Sequence, residues 1–132
     1  MRTEFLEEES KFQDVQELYD AMQTVLAWNV IFEPIHDRVI TPVSRVWNVG
    51  WKGWILFEWD TYFAAYMLSL SNKELAYANA LAMTKEITDH GFVPNFASSV
   101  TTSEDRSQPP VGSFVVKEIY RRFGEKWFLE EV

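Results

Sequence analysis

WILFEWDTYFAAYMLSL, residues 54–70, carries only four polar side chains: Glu58, Asp60, Thr61 and Ser69. From residue 61 onward it is apolar nearly all round. A helix with no polar face is buried on all sides, which makes 61–70 an inner helix of a layered structure. Ser71-Asn72 breaks it, and residues 73–89 form the next helix, with Gly91 as its C-terminal stop. Upstream, Ser10 and Gln13 fit a capping box. Phe12, Val15, Leu18, Met22, Val25 and Leu26 then recur at helical spacing, predicting an amphipathic helix over 10–30 that ends before Pro34. Lys11, Asp14, Glu17 and Asp20 form its solvated face. Downstream, Pro109-Pro110 opens a helix over 110–123, Gly124 punctuates it, and Glu125-Lys126-Trp127-Phe128-Leu129 begins another. The predicted fold is all-α, with long loops over 31–53 and 91–110 and at most short strands. A loop of about 20 residues without periodicity is uncommon in a compact domain and is usually functional or disordered.

The composition closes off several functions. With 47% hydrophobic residues and 16% aromatic residues, the 132-residue chain is rich enough to fill a core. It has no cysteine, which removes disulfides, zinc–thiolate sites and cysteine nucleophiles. His36 and His90 are the only histidines, too few for a histidine-rich metal site or a histidine triad. A net charge of −8 argues against nucleic acid. No apolar run approaches a membrane span, and the acidic start MRTEFLEEES is no signal peptide, so a cytoplasmic location is expected. No cofactor and no metal are expected, since no loop has the ligand spacing of a calcium site.

Three segments have the residue types for chemistry. In the first, Asp60 follows Trp59 where an aromatic segment meets a helix start. It is either an N-cap, a carboxylate beside an aromatic platform, or both. Sugars present apolar C–H faces that stack on Trp and Tyr, and hydroxyls that Asp, Asn, Gln and Arg answer. The second, Gly91-Phe92-Val93-Pro94-Asn95, reads by itself as a turn. The third, Asp105-Arg106-Ser107-Gln108-Pro109-Pro110, reads either as the start of a helix or as a loop end presenting Arg106 and Gln108 as hydrogen-bonding groups. His36-Asp37 reads as a loop histidine more readily than as a proton relay.

Taken together and in order, the three segments resemble the six-hairpin, (α/α)6-barrel glycosidases of the trehalase and glycoside hydrolase family 63 kind. The resemblance lies in Glu58-Trp59-Asp60-Thr61-Tyr62-Phe63, in Gly91 to Asn95, and in Arg106-Ser107-Gln108-Pro109-Pro110. The closer likeness is to family 63, which includes enzymes resembling mannosyl-oligosaccharide glucosidase and mannosylglycerate hydrolase. Trehalases carry a Gly-Gly-Arg-Phe-Arg-Glu type segment where this chain has Gly50-Trp51-Lys52-Gly53-Trp54-Ile55. The resemblance implies that Trp59, Asp60, Asn95, Arg106 and Gln108 bind sugar, with Lys52 taking over part of the trehalase arginine contact. It also implies inverting hydrolysis of an oligosaccharide or glycoside by an acid and a base held roughly 6.5–9.5 Å apart.

The family's acid and base belong to later motifs that do not occur in this sequence, so no catalytic residue is assigned. A barrel of this kind needs twelve helices and well over about 300 residues. The sequence therefore reads as a fragment, the N-terminal portion of a catalytic barrel, inactive by itself. A non-catalytic helical carbohydrate-binding module and a trehalase-like hydrolase are the alternatives. Because a partial barrel cannot cover an all-apolar helix, self-association through an exposed apolar edge is expected.

Overall fold

The computed structural model describes residues 7, 10–45 and 53–132. Gly50, Trp51 and Lys52 and the side chain of Ser10 in the capping box lie outside the described residues.

Among the described residues, five α-helices and four three-residue strands follow a short 3-10 turn. They are α1 Gln16–Asn29, β1 Ile31–Glu33, β2 Arg38–Ile40, β3 Ile55–Phe57, α2 Glu58–Leu68, α3 Lys73–Thr84, β4 Phe96–Ser98, α4 Gly112–Phe123 and α5 Lys126–Glu131. The strands form two antiparallel pairs, β1 with β2 and β3 with β4. The described chain is thus mostly helical, as the sequence predicts.

The hairpin of α2 and α3 is the centre of the fold. Asn72 caps α3, its side chain accepting the Leu75 N–H at 2.9 Å. Tyr62, Ala64, Ala65 and Leu68 of α2 join Ala76, Tyr77, Ala80 and Met83 of α3 in one apolar cluster with Leu26, Val115, Ile119 and Phe128. Small residues let the neighbours approach closely. At Gly112, a Cβ would stand 2.8 Å from the Tyr62 ring, so only glycine admits α4 at this distance. The Tyr62 hydroxyl donates to Thr84 Oγ1 (3.0 Å), because that threonine's own proton goes to the Ala80 carbonyl (2.9 Å).

Within the 61–70 segment expected to be buried on all sides, Phe63 is the one exposed residue, and just before it Trp59 and Asp60 are exposed as well. They share one face at the helix start, and that face is open among the described residues.

Other boundaries move for identifiable reasons. The 10–30 helix is split: Ser10–Val15 is a 3-10 turn with non-helical dihedrals at Phe12, and α1 starts only at Gln16. Its buried face is Tyr19, Gln23 and Leu26, with Met22 alongside. The predicted apolar positions Val15, Leu18 and Val25 are open instead, Leu18 with 69% exposure. Helix α3 ends at Thr84, five residues early. Arg38 Nη1 donates to the Ala82 carbonyl (3.2 Å), and the Glu86 N–H turns to Met83 (3.1 Å), a tighter i→i+3 closure. Gly91, at φ +82°, therefore serves a separate turn, in which the Thr88 N–H donates to the Phe92 carbonyl (3.0 Å). Pro109 and Pro110 stand just before α4, which ends as predicted at Gly124 in the left-handed region.

The β1–β2 hairpin holds a buried acid that the sequence reading passed over. Glu33 is 1% exposed. It accepts the Ile35 N–H (2.7 Å) and Arg38 Nε (3.2 Å), and lies 2.6 Å from His36 Nδ1. His36 thus pairs with Glu33 rather than with Asp37. Burial alone raises the Glu33 pKa, but the His36 side chain and the backbone N–H groups outweigh it and hold the carboxyl below its ordinary value. A lowered folded-state pKa gives stability that is present above the unfolded value of about 4.3 and is lost as pH falls through the folded value. Thermal melts from pH 7 to pH 3 are expected to show a midpoint falling below about pH 4.3, and Glu33→Gln to remove part of that fall. A mutant curve parallel to wild type would refute the assignment.

Candidate functional site

The three motif segments converge on the N-terminus of α2. A helix start leaves backbone N–H groups unpaired, and these need acceptors. Asp60 does not provide one: the N-cap position is Phe57, and no side chain caps from there. The acceptors come from far along the chain. The Glu58 N–H donates to the Asn95 carbonyl (3.1 Å), and the Trp59 N–H donates to Gln108 Oε1 (2.9 Å). Strand β3 runs straight into α2 and pairs with β4 in the register Ile55↔Ser98, Leu56↔Ala97, Phe57↔Phe96, which sets Asn95 beside Glu58.

Residues 91–110 are accordingly a pinned loop and not an irregular one. The Asn95 N–H donates to the Arg106 carbonyl (2.9 Å), the Ser103 N–H to the Phe96 carbonyl (3.0 Å) and the Ser98 N–H to the Thr101 carbonyl (2.9 Å). Ser103 Oγ accepts the Phe96 N–H (3.2 Å). These bonds fold the segment into a small hairpin that delivers Asn95 and Arg106 side by side.

Glu58 organises this junction, although the sequence reading used it only as part of a motif. It is 3% exposed. Its Oε2 accepts Ser107 Oγ (2.8 Å) and the Gln108 N–H (2.6 Å). Glu58 and Gln108 thus each bind the other segment's backbone with a side chain, a capping box built across 50 residues of chain. A carboxylate between Phe57 and Trp59 was the available signal. An acid in an apolar run must find donors when buried.

The predicted site residues are distributed as follows. Trp59 and Gln108 are joined directly, and Asn95 and Arg106 through their backbones. The Asp60 carboxylate is exposed, with no hydrogen-bond partner among the described residues. The Arg106 side chain is also exposed and pairs with Asp105 (3.2 Å). No hydrogen bond or ion pair joins the Asp60 carboxylate to the side chains of Asn95, Arg106 or Gln108 among the described residues; the four are brought near one another only through the backbone bonds at the start of α2. Together they offer an acceptor (Asp60), donors (Arg106 and the Gln108 amide) and an aromatic face (Trp59), the set that suits a polyhydroxylated ligand. No cluster of three or more His, Asp or Glu among the described residues is able to hold a metal. Among the described residues, no helix is long and apolar enough to cross a membrane.

A family model described as Trehalase matches residues 54–132, from β3 to the end of the chain, and takes in all three segments. The chain belongs to the trehalase family. A probable trehalase from Oryza sativa subsp. japonica is 34% identical over 100 residues, 75% of this chain. The same match covers 16% of the rice protein, so this trehalase-family chain spans about a sixth of that relative's length. No solved structure matches. The family match leaves α1 and the β1–β2 hairpin outside it.

Proposed function

We propose that this chain supplies one wall of the sugar pocket in an inverting glycoside hydrolase and that the rest of the barrel supplies the acid and the base. The observation that carries this reading is the convergence of Trp59, Asp60, Asn95, Arg106 and Gln108 at the start of α2. In it, Trp59 stacks on the sugar, Asp60 accepts from hydroxyls, and Asn95, Arg106 and the Gln108 amide hydrogen-bond to the sugar. Because neither catalytic carboxylate occurs in the sequence, the chain by itself binds and does not hydrolyse.

Trehalose is the first substrate to consider, supported by the family match and the rice relative. A family 63 specificity, for a gluco- or manno-configured oligosaccharide or glycoside, is favoured by Gly50-Trp51-Lys52-Gly53-Trp54-Ile55, which departs from the trehalase pattern. Lys52 would then contact sugar in place of an arginine. Assaying the longer polypeptide that carries this segment against trehalose and against mannosylglycerate separates the two.

Binding is testable on the chain itself. Titration with trehalose, glucose and mannose, followed by tryptophan fluorescence, is expected to show saturable change at millimolar sugar. Asp60→Ala is expected to weaken it by about tenfold, roughly 1.4 kcal/mol, while leaving the melting midpoint nearly unchanged, since Asp60 is exposed. No response from the wild-type chain would overturn the proposal.

A further inference from the structure

We infer that Glu58 is a positioning residue for sugar recognition, one that fixes both the tryptophan platform and the donor polarity of Gln108. This rests on the sugar-binding reading above, but it is argued from hydrogen bonds that stand without it.

The Trp59 N–H must face an oxygen, and it faces Gln108 Oε1 at 2.9 Å. The orientation of that amide is therefore determined: its NH2 end points away from the helix, with no partner among the described residues. Gln108 meets a ligand as a donor only, and the ligand atom opposite it must be an acceptor, such as a sugar ring or hydroxyl oxygen. Nothing in a surface glutamine enforces this by itself, because the side chain has several rotatable bonds. The constraint is applied at the backbone. Glu58 Oε2 holds the Gln108 N–H at 2.6 Å and the neighbouring Ser107 hydroxyl at 2.8 Å.

Both bonds run to the same carboxylate oxygen, and no cationic side chain pairs with Glu58 among the described residues. Glu58 therefore acts through reach and acceptor geometry more than through charge. A glutamine at 58 retains an oxygen at the same distance. An aspartate retains the charge but is one methylene short of the Gln108 N–H, so the clasp opens while the helix start remains.

That contrast is the test. Sugar affinity is read by tryptophan fluorescence with trehalose on wild type, Glu58→Gln and Glu58→Asp, and amide hydrogen exchange is followed at Trp59. Glu58→Gln is expected to stay within about threefold of wild type, and Glu58→Asp to bind about tenfold more weakly. In Glu58→Asp the Trp59 amide is expected to exchange at least about tenfold faster, with the Ala65 and Leu68 amides of the same helix unchanged. A merely structural role would move all three amides together. Equal affinity and equal Trp59 protection in Glu58→Asp would overturn the proposal, as would a Glu58→Gln variant as weak as Glu58→Asp. If no protein responds to sugar, the sugar-binding reading fails, and the exchange pattern alone decides whether Glu58 holds the clasp.

Discussion

Phe128→Ala is expected to cost about 3–5 kcal/mol, most of the stability of a chain this small. Its ring is fully buried although it belongs to a helix of only six residues. So short a helix does not persist by its own propensity. It is held by Tyr77 of α3, whose ring lies 4.6 Å from Phe128, 4.9 Å from Trp127 and 5.6 Å from Phe123. Removing the Phe128 ring leaves a cavity that this pocket of rigid rings fills poorly. Urea denaturation followed by circular dichroism checks it. A loss below about 1 kcal/mol would mean that α5 is not part of the core. Trp127→Ala is expected to cost less, since that ring is 43% exposed.

Asn79→Ala is expected to cost about 3 kcal/mol for a different reason, an orphaned donor. Asn79 is fully buried in α3 and ties the helix to the chain after β2. Its Oδ1 accepts the Thr41 N–H (2.7 Å), and its Nδ2 donates to Thr41 Oγ1 (3.0 Å) and to the Leu75 carbonyl (2.8 Å). Alanine removes all three bonds and leaves the buried Thr41 N–H unpaired. Asn79→Asp keeps the acceptor but has no donor for the other two bonds and buries a charge, so at pH 7 it is expected to be at least as damaging. Melting both variants at pH 7 checks the order. An alanine variant within about 0.5 kcal/mol of wild type would refute it.

What the sequence made legible followed from how local each signal was. The helices at 61–70 and 110–123 and the stop at Gly124 depend on neighbours within a turn or two, and they stand close to where the pattern put them. The 73–89 helix was overread because its end is set by Arg38, which lies 44 residues away from the Ala82 carbonyl it takes. The apolar spacing of Val15, Leu18 and Val25 was real, but burial depends on what packs against a face, and Tyr19 and Leu26 face the core instead. At the site, motif order revealed which residues belong together. It did not reveal that Gln108 caps α2 or that Glu58 holds Gln108, because both depend on β3–β4 pairing between segments some 40 residues apart. Asp60 as a cap was the natural local guess, and a distant glutamine provides the acceptor instead.

The span of that clasp also orders events in time. Residues 58 and 108 meet only after the α2–α3 hairpin has folded back and the 96–103 hairpin has closed, since closing a loop of this length in an open chain costs roughly 3.5 kcal/mol of entropy beyond a constant. Helical signal should therefore appear before the Trp59 amide becomes protected in a refolding experiment. A ribosome-bound chain that ends before Gln108 would hold much of the apolar cluster around α2 and α3 and still lack the clasp, so the Trp59 N–H stays without its acceptor until residue 108 has been made.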